Sequence, residues 1–469
     1  MSPTDIDGKR ATVIGGARSG LAAATLLARH GAEVFLTERD AVDDRMADAL
    51  TKAGVAFEQG GHTPRALDAD FLVISPGVPS TINLVQQALR QRLPVYSEIE
   101  AASWFCPAPI VAVTGSNGKT TTTSLIAHLF RTAQRPFVVG GNIGYPFSDY
   151  VDELTDAHTV VLEVSSFQLD HIQTFRPKVS VLLNITPDHL DRYDHDFNKY
   201  AQSKFRVFEN QRPGDWLVYN YDDELVHDYV AMWAEKRGIT PWPFSLEHEL
   251  ERGAFVRRDA NGISQIVMSL PESLEPSSPT MIFEEELMPS SNTALQGRHN
   301  LYNSLAAAIA ARAMEIRSDV VRQSLTSFEG VPHRLEKVRT VHGVHFVNDS
   351  KATNVNAVWY ALESFPGNVI LIAGGRDKGN DYGPLKSLVT EKVKGLVGLG
   401  ESGDKVMAEL GPHAEHNARA QTMEEAIQFA RLMAEPGDTV LLSPACSSFD
   451  MFDNYEHRGD TFRRLVQSL

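Results

Sequence analysis

Val113 to Thr123 reads VTGSNGKTTTT, preceded by the apolar run IVAV (Ile110 to Val113) and followed by the helical pattern SLIAHLF (Ser124 to Phe130). A strand, a glycine turn and a helix in that order predict a phosphate-binding loop. Gly115 and Gly118 let successive backbone N–H groups face an anion, and the helix that follows presents its positive end. Lys119 is placed to reach the terminal phosphates and the Thr120 hydroxyl to ligate Mg2+. The usual spacing, G-x-x-x-x-G-K-[ST], puts a glycine where this chain has Val113, so the loop is a shortened one. A solvated lysine on a glycine turn is the plainer alternative. The strand before, the helix after and the intact GKT argue against it.

Working outward, strand-like apolar runs alternate with amphipathic segments almost throughout: TVIGG, EVFLT, DFLVISPG, IVAVTG, TVVLEVSS, VSVLLNIT, HFVND, NVILIAGG, LVGLG and TVLLSPAC. Apolar rather than strictly alternating strands predict mainly parallel sheets covered by helices, an α/β fold. At 469 residues and 42% hydrophobic content the chain exceeds one core, and three domains are expected. Pro107 and Pro109 interrupt the pattern just before the phosphate loop, and a second break falls near Gly330 to Pro332 after a long helical stretch beginning at Asn300. The expected domains are therefore 1–106, 107–330 and 331–469. The segment from Pro271 to Asn292, rich in Pro, Ser and Glu, reads as an exposed loop or insertion.

The formal charge of −16 disfavours nucleic acid or an anionic membrane as a partner. No apolar run reaches the roughly 18 residues of a membrane span, and the N-terminal stretch lacks the apolar core of a signal peptide. The two cysteines, Cys106 and Cys446, are far apart and in no metal-ligand spacing. A soluble, reduced, cytoplasmic protein is expected.

A phosphate loop needs a metal partner. VVLEVSSFQLD places Glu163 at the end of a buried apolar strand, where a carboxylate must be paired or coordinated; a structural ion pair is the alternative to Mg2+ ligation there. In VLLNITPDHLDRYD, Asp188 and His189 follow Pro187 at a strand-to-helix switch, where α/β sheets carry functional side chains. Lys204 has Ala201, Val207 and Phe208 at helical spacing and Phe205 beside it, so its amine emerges next to an apolar face. Desolvation there makes the neutral amine available, unless the side chain snorkels to water. Near the N-terminus, VIGGARSGLAAATLLARHGAEVFLTERD is similar to a dinucleotide fingerprint, with Gly15, Gly20 and Glu38 in place. Ala17 stands where the middle glycine belongs, and its methyl group hinders a close pyrophosphate. A second glycine turn at Gly77, in VISPGVPS, offers another strand end for a nucleotide other than NAD.

TGSNGKTTTT, GGNIGYP, LEVSSFQLD, NITPDHLDRYD, GRHNLYNSLAA, PHRLE, NDSKATN and SPACSSFDMFDNYEHRG occur in the order found in the Mur ligases. The chain resembles that family over essentially its whole length, and most closely its D-glutamate-adding branch. The shortened G-x-x-G-K-T loop is the family's own form. The resemblance implies Rossmann-like first and third domains around a central P-loop domain. It also implies an ATP-dependent amide ligase of peptidoglycan precursor synthesis, acting as a monomer on UDP-N-acetylmuramoyl-L-alanine and D-glutamate through an acyl phosphate.

By motif matching, the resemblance gives Gly115, Ser116, Asn117, Gly118, Lys119, Thr120, Thr121, Asn303, Arg334 and Asp349 to ATP. Lys119, Glu163, His189 and Lys204 become the catalytic set. Two Mg2+ sites, open to Mn2+, take Thr120 and Glu163, and His189 with a carbamylated Lys204. Arg18, Ser19, Glu38, Arg39 and Gly77 match uridine-diphosphate positions; Asn142, Ser165 and His189 lie near the substrate's reacting end. Lys351, Thr353, Lys378, Ser448 and Tyr455 match D-glutamate positions, where two lysines and a hydroxyl suit a small dicarboxylate.

Two other readings stay open. Another amide ligase of the superfamily with a different acceptor shares the core motifs; the diaminopimelate signature D-N-P-[AN]-R is absent, and the long stretch before Ile110 argues against a folylpolyglutamate synthase. A nucleotide-driven conformational NTPase explains Lys119, Thr120 and Glu163 but leaves His189, Lys204, Lys351 and Lys378 without work.

Overall fold

Central apolar strands, buried along most of their length, organise the chain into three sheets, seen in a computed structural model that describes residues 6–271, 282–377 and 379–469. The first sheet holds five parallel strands in the spatial order Ala56–Glu58, Glu33–Thr37, Arg10–Ile14, Phe71–Ile74 and Val95–Ser97. This is the doubly wound order, which opens a crevice at the carboxyl ends of the strands.

The second sheet has nine strands, ordered Ile282–Pro289, Ser264–Pro271, Gly253–Arg258, Pro241–Ser245, Trp216–Asn220, Val179–Leu182, Ile110–Thr114, Thr159–Glu163 and Phe137–Gly141. Its pairings are parallel except the last two at the Ile282–Pro289 edge. The expected loop from Pro271 to Asn292 is therefore corrected in part: Ile282–Pro289 is a strand, antiparallel to Ser264–Pro271. Its Glu284 to Glu286 run hid the pattern, because an edge strand faces water and takes charge freely. Residues 272–281 of that segment lie outside the described residues. The third sheet runs Glu336–Val341, Val344–Asn348, Thr439–Leu442, Val369–Ala373, Val393–Leu399 and His416–Ala420, with only the first pair antiparallel.

Two compact units result, one of residues 1–293 with 301–328 and the other of 294–300 with 329–469. Within the first unit, two buried carboxylates from the helix Glu98–Ser103 tie the first sheet's end to the second sheet's flank. Glu98 Oε1 accepts from Ser148 N and Oγ at 2.6 and 2.7 Å. Glu100 accepts from the backbone N–H groups of Gln173, Thr174 and Phe175 and from Trp104 Nε1. A buried carboxylate is tolerated only when its lone pairs are filled in this way. No helix among the described residues is long and apolar enough to cross a membrane.

Candidate active site

Three neighbouring strands deliver the site from their carboxyl ends. Ile110–Thr114 lies between Thr159–Glu163 and Val179–Leu182, and all three are buried along their length. The phosphate loop leaves the first, and the helix Lys119–Thr132 starts directly behind it. Gly118 caps that helix at φ +85°, and a Cβ there would stand 2.3 Å from Asn303 Oδ1. Only glycine satisfies both demands.

The loop is held from below by the next strand's end. Asn117 N donates to Asn184 Oδ1 at 2.8 Å, and Asn184 Nδ2 returns a bond to Asn117 O. The buried Ser116 Oγ donates to Thr186 O at 2.8 Å and meets Tyr200 OH at 2.9 Å. Lys119 folds back so that Nζ donates to Gly115 O and Ser116 O, both at 2.8 Å. The Thr121 hydroxyl is buried with no hydrogen-bond partner among the described residues.

Glu163, 2% exposed, sits at the point the sequence pattern predicts. Its Oε2 accepts from Thr120 Oγ1 at 2.6 Å, and its Oε1 from Asn142 Nδ2 at 2.8 Å. Asn142 N also donates to Glu163 O at 2.8 Å, so GGNIG and LEVSS are doubly latched. Ser165 caps the short helix Ser166–Leu169 reciprocally with Gln168.

Lys204 is 2% exposed, on the helix Phe197–Phe205. Its Nζ donates to Gly115 O at 2.8 Å and stands 4.8 Å from the centre of the Tyr200 ring. Burial, and then the nearby Lys119 ammonium, pull its pKa well below the usual lysine value, against the opposing pull of Asp188, Glu163 and Asp170. The snorkelling alternative does not occur. His189 adopts a left-handed backbone at φ +50° and is half exposed; Nε2 lies 3.7 Å from Asp188 Oδ2, and its ring stands edge-on to Phe167.

The donor set suits Mg2+. Thr120 and Glu163 offer hard oxygens side by side, and no cluster of three or more His, Cys, Asp or Glu residues able to hold a metal occurs among the described residues. Mg2+ keeps much of its shell in water and phosphate oxygens, so few protein ligands are needed.

Of the residues predicted near the N-terminus, Arg18 opens the helix Arg18–Arg29, which has no side-chain cap and no acidic residue in its first turn; Ser19 follows it. Glu38 turns inward, accepting from Gly16 N and from Asp40 N. Arg39 pairs with Asp40 on the surface. Gly77 has open space where a Cβ would project.

In the second unit, Asp349 is 4% exposed and accepts from Leu335 N and Ser443 Oγ. Burial pushes its carboxyl up to about 6, against the pull of Arg334. Arg334 has a buried Nε with no partner among the described residues. Lys351 Nζ lies 5.2 Å from the centre of the Tyr455 ring, so these two are brought together. Thr353 is half-buried, Ser448 is buried, and Lys378 lies outside the described residues.

Sequence reasoning passed over Tyr200, Asn184 and Arg458. Tyr200 had a signal, since it precedes Lys204 by one helical turn and shares its face. Arg458, 2% exposed, donates to Ser350 Oγ and O and to Cys446 O. Its partner Ser350 is 108 positions away in sequence.

Comparison with known proteins gives a consistent result. Residues 10–83 match the MurD N-terminal domain, 113–311 the Mur ligase middle domain and 333–446 the Mur ligase glutamate ligase domain. A UDP-N-acetylmuramoylalanine-D-glutamate ligase of Salinibacter ruber is 60% identical over 474 residues, with 100% of both chains covered. One of the same description from Chloroherpeton thalassium is 46% identical over 483 residues, again with 100% of both covered. Among solved structures, the MurF ligase of Thermotoga maritima in complex with ADP aligns with TM-score 0.59 at 16% identity, over 100% of this chain and 97% of that one. MurC from the same organism aligns with TM-score 0.56 at 17% identity, over 98% and 99%. These two share the fold.

Proposed function

The chain belongs to the Mur ligase family, and from that premise we propose that it joins D-glutamate to UDP-N-acetylmuramoyl-L-alanine, an ATP-dependent amide ligation of peptidoglycan precursor synthesis. The relatives' shared description carries the substrates. The observation in the fold that supports the chemistry is the cluster around one loop: Thr120 on Glu163 on one side, and Lys204 on Gly115 on the other.

A carboxylate is a poor electrophile and phosphate is a good leaving group. Transfer of the ATP terminal phosphoryl group to the substrate's alanyl carboxylate gives an acyl phosphate; the D-glutamate amine attacks its carbonyl carbon, and the tetrahedral intermediate expels phosphate. Loop N–H groups from Gly118 to Thr121, at the start of the helix, hold the ATP phosphates, while those of Ser116 and Asn117 are taken by Asn184. Lys119 exchanges its two carbonyl partners for phosphate oxygens and offsets the charge of two approaching anions. Mg2+ would be held by Thr120 and Glu163, supplying further charge neutralisation. Asn142 fixes the orientation of the Glu163 carboxylate.

A second divalent ion would fall to His189 and a carbamylated Lys204. Burial pulls the Lys204 pKa down and so favours the neutral amine, the form that adds CO2. We further propose Asn303, Arg334 and Asp349 for ATP. Arg18, Ser19, Glu38, Arg39 and Gly77 are proposed for the uridine diphosphate, with Ser165 toward the reacting end. Lys351, Thr353, Lys378, Ser448 and Tyr455 are proposed for D-glutamate. For Glu38 the inward hydrogen bond to Gly16 favours a role in shaping the loop over direct ribose contact. The three sheets are proposed as domains 1–106, 107–330 and 331–469, and the enzyme as a cytoplasmic monomer.

The test is phosphate release from ATP with each substrate omitted in turn. Release is expected only when UDP-N-acetylmuramoyl-L-alanine and D-glutamate are both present; equal release with neither would sink the ligase reading. Substituting other amino acids for D-glutamate decides the acceptor.

A further inference from the structure

Arg192 lies three residues after His189 and reaches back to the first sheet's second glycine turn. Its Nη1 donates to Pro76 O at 3.1 Å and its Nη2 to Gly77 O at 3.2 Å. The guanidinium carbon sits 4.5 Å above the centre of the Phe167 ring. That ring in turn stands edge-on to His189, with centroids 6.2 Å apart. One side chain thus connects the Gly77 turn with the His189 segment, within a single compact unit.

The peptide geometry gives this contact a consequence. Across a trans peptide the C=O and the following N–H point in opposite directions, and the chain contains no cis bonds among the described residues. Holding Pro76 O toward Arg192 therefore turns the Gly77 N–H away from it. That N–H has no acceptor among the described residues, whereas its neighbour Val78 N closes the turn on Ser75 O at 3.0 Å. Gly77 is exposed, and no heavy atom lies within 4 Å of where its Cβ would project. An oriented, unpaired backbone donor beside open space is a place for an anion.

We propose that Arg192 is a positioning residue for the nucleotide-sugar substrate: by clamping the Pro76 and Gly77 carbonyls it aims the Gly77 N–H at the diphosphate. The proposal rests on the reading that this turn binds the UDP end. Stacking on Phe167 holds the guanidinium flat, so that both prongs reach the turn together. Arg192 and Phe167 also line an open cavity of about 920 Å³, so shortening the side chain opens space at a cavity wall and not within the core.

The experiment measures UDP binding by calorimetry, and KM for the UDP substrate, ATP and D-glutamate, in the wild type, Arg192→Lys and Arg192→Ala. Arg192→Ala is expected to weaken UDP and raise the UDP-substrate KM about tenfold, the loss of partly exposed charge-assisted hydrogen bonds. KM for ATP and D-glutamate and the melting temperature should stay near wild type. Arg192→Lys should fall between, because an ammonium cannot bridge two carbonyls in the plane of a ring. Unchanged UDP binding in Arg192→Ala overturns the proposal, as does a parallel rise in all three KM values. Wild-type protein that neither binds UDP nor turns over would instead overturn the underlying reading. If Arg192→Ala does not fold, the ordering of Arg192→Lys against wild type for UDP decides.

Discussion

Lys204 Nζ donates to Gly115 O at 2.8 Å, so a fully buried amine of the site grips the first residue of the phosphate-loop turn. Whatever changes that amine is transmitted to the backbone that holds phosphate.

Lys204→Ala is expected to lower turnover by on the order of 10²–10³-fold, the scale of losing a charge-stabilising group. Added formate or acetate should restore part of it by supplying the missing oxygen ligand. Steady-state assays with and without the acids check this; full activity without them would refute a carbamate at Lys204.

Glu163→Gln preserves shape, and the Thr120 hydroxyl can accept from an amide as readily as it donates to a carboxylate. Folding should survive, while kcat drops by on the order of 10²–10³-fold. The Mg2+ concentration for half-maximal rate should rise. A Mg2+ titration that superimposes on wild type would remove Glu163 from metal binding.

Gly118→Ala places a Cβ at φ +85° and 2.3 Å from Asn303 Oδ1. The left-handed backbone alone costs about 1–2 kcal/mol for a residue with a side chain, and Asn303 must also move. Lower melting temperature together with weaker ATP binding is expected. A variant with wild-type values in both would show that the loop relaxes at no cost.

Glu98 supplies a pH dependence with a definite sign. Burial, aided by Asp149, raises its carboxyl from 4.5 to about 7, against the Ser148 hydrogen bonds. A raised acid pKa means that folding favours the protonated form, so its contribution is whole below pH 4.5 and is lost as pH rises through about 7. Glu98→Gln keeps an acceptor for Ser148 and carries no charge. The variant should gain on wild type across that window, by up to about 3 kcal/mol. Chemical denaturation at several pH values checks it; a constant difference between the two proteins would contradict the buried, titrating carboxylate.

The elements around the phosphate loop were legible because their signals are local. Buried strands write continuous apolar runs, Gly115 and Gly118 mark the turn, and Glu163 announces itself as a charge ending an apolar strand. The edge strand Ile282–Pro289 was missed for the converse reason: facing water, its acidic run carries no strand signature. Lys204 was legible as an amine beside an apolar face, but burial and snorkelling predict the same spacing, and only packing decides between them.

The sequence by itself determined the α/β class, the shortened phosphate loop, the carboxylate at the neighbouring strand end and the ordered motifs of the family. All are written in runs of a few residues, where backbone preference and periodicity act. Tertiary structure alone decided that Asn142 orients Glu163, that Tyr200 touches Ser116, and that Arg192 donates to the Pro76 carbonyl. Arg192 and Gly77 are 115 positions apart. Such contacts form only when strand order and helix placement bring distant residues within a hydrogen bond's length, and no local pattern encodes that distance.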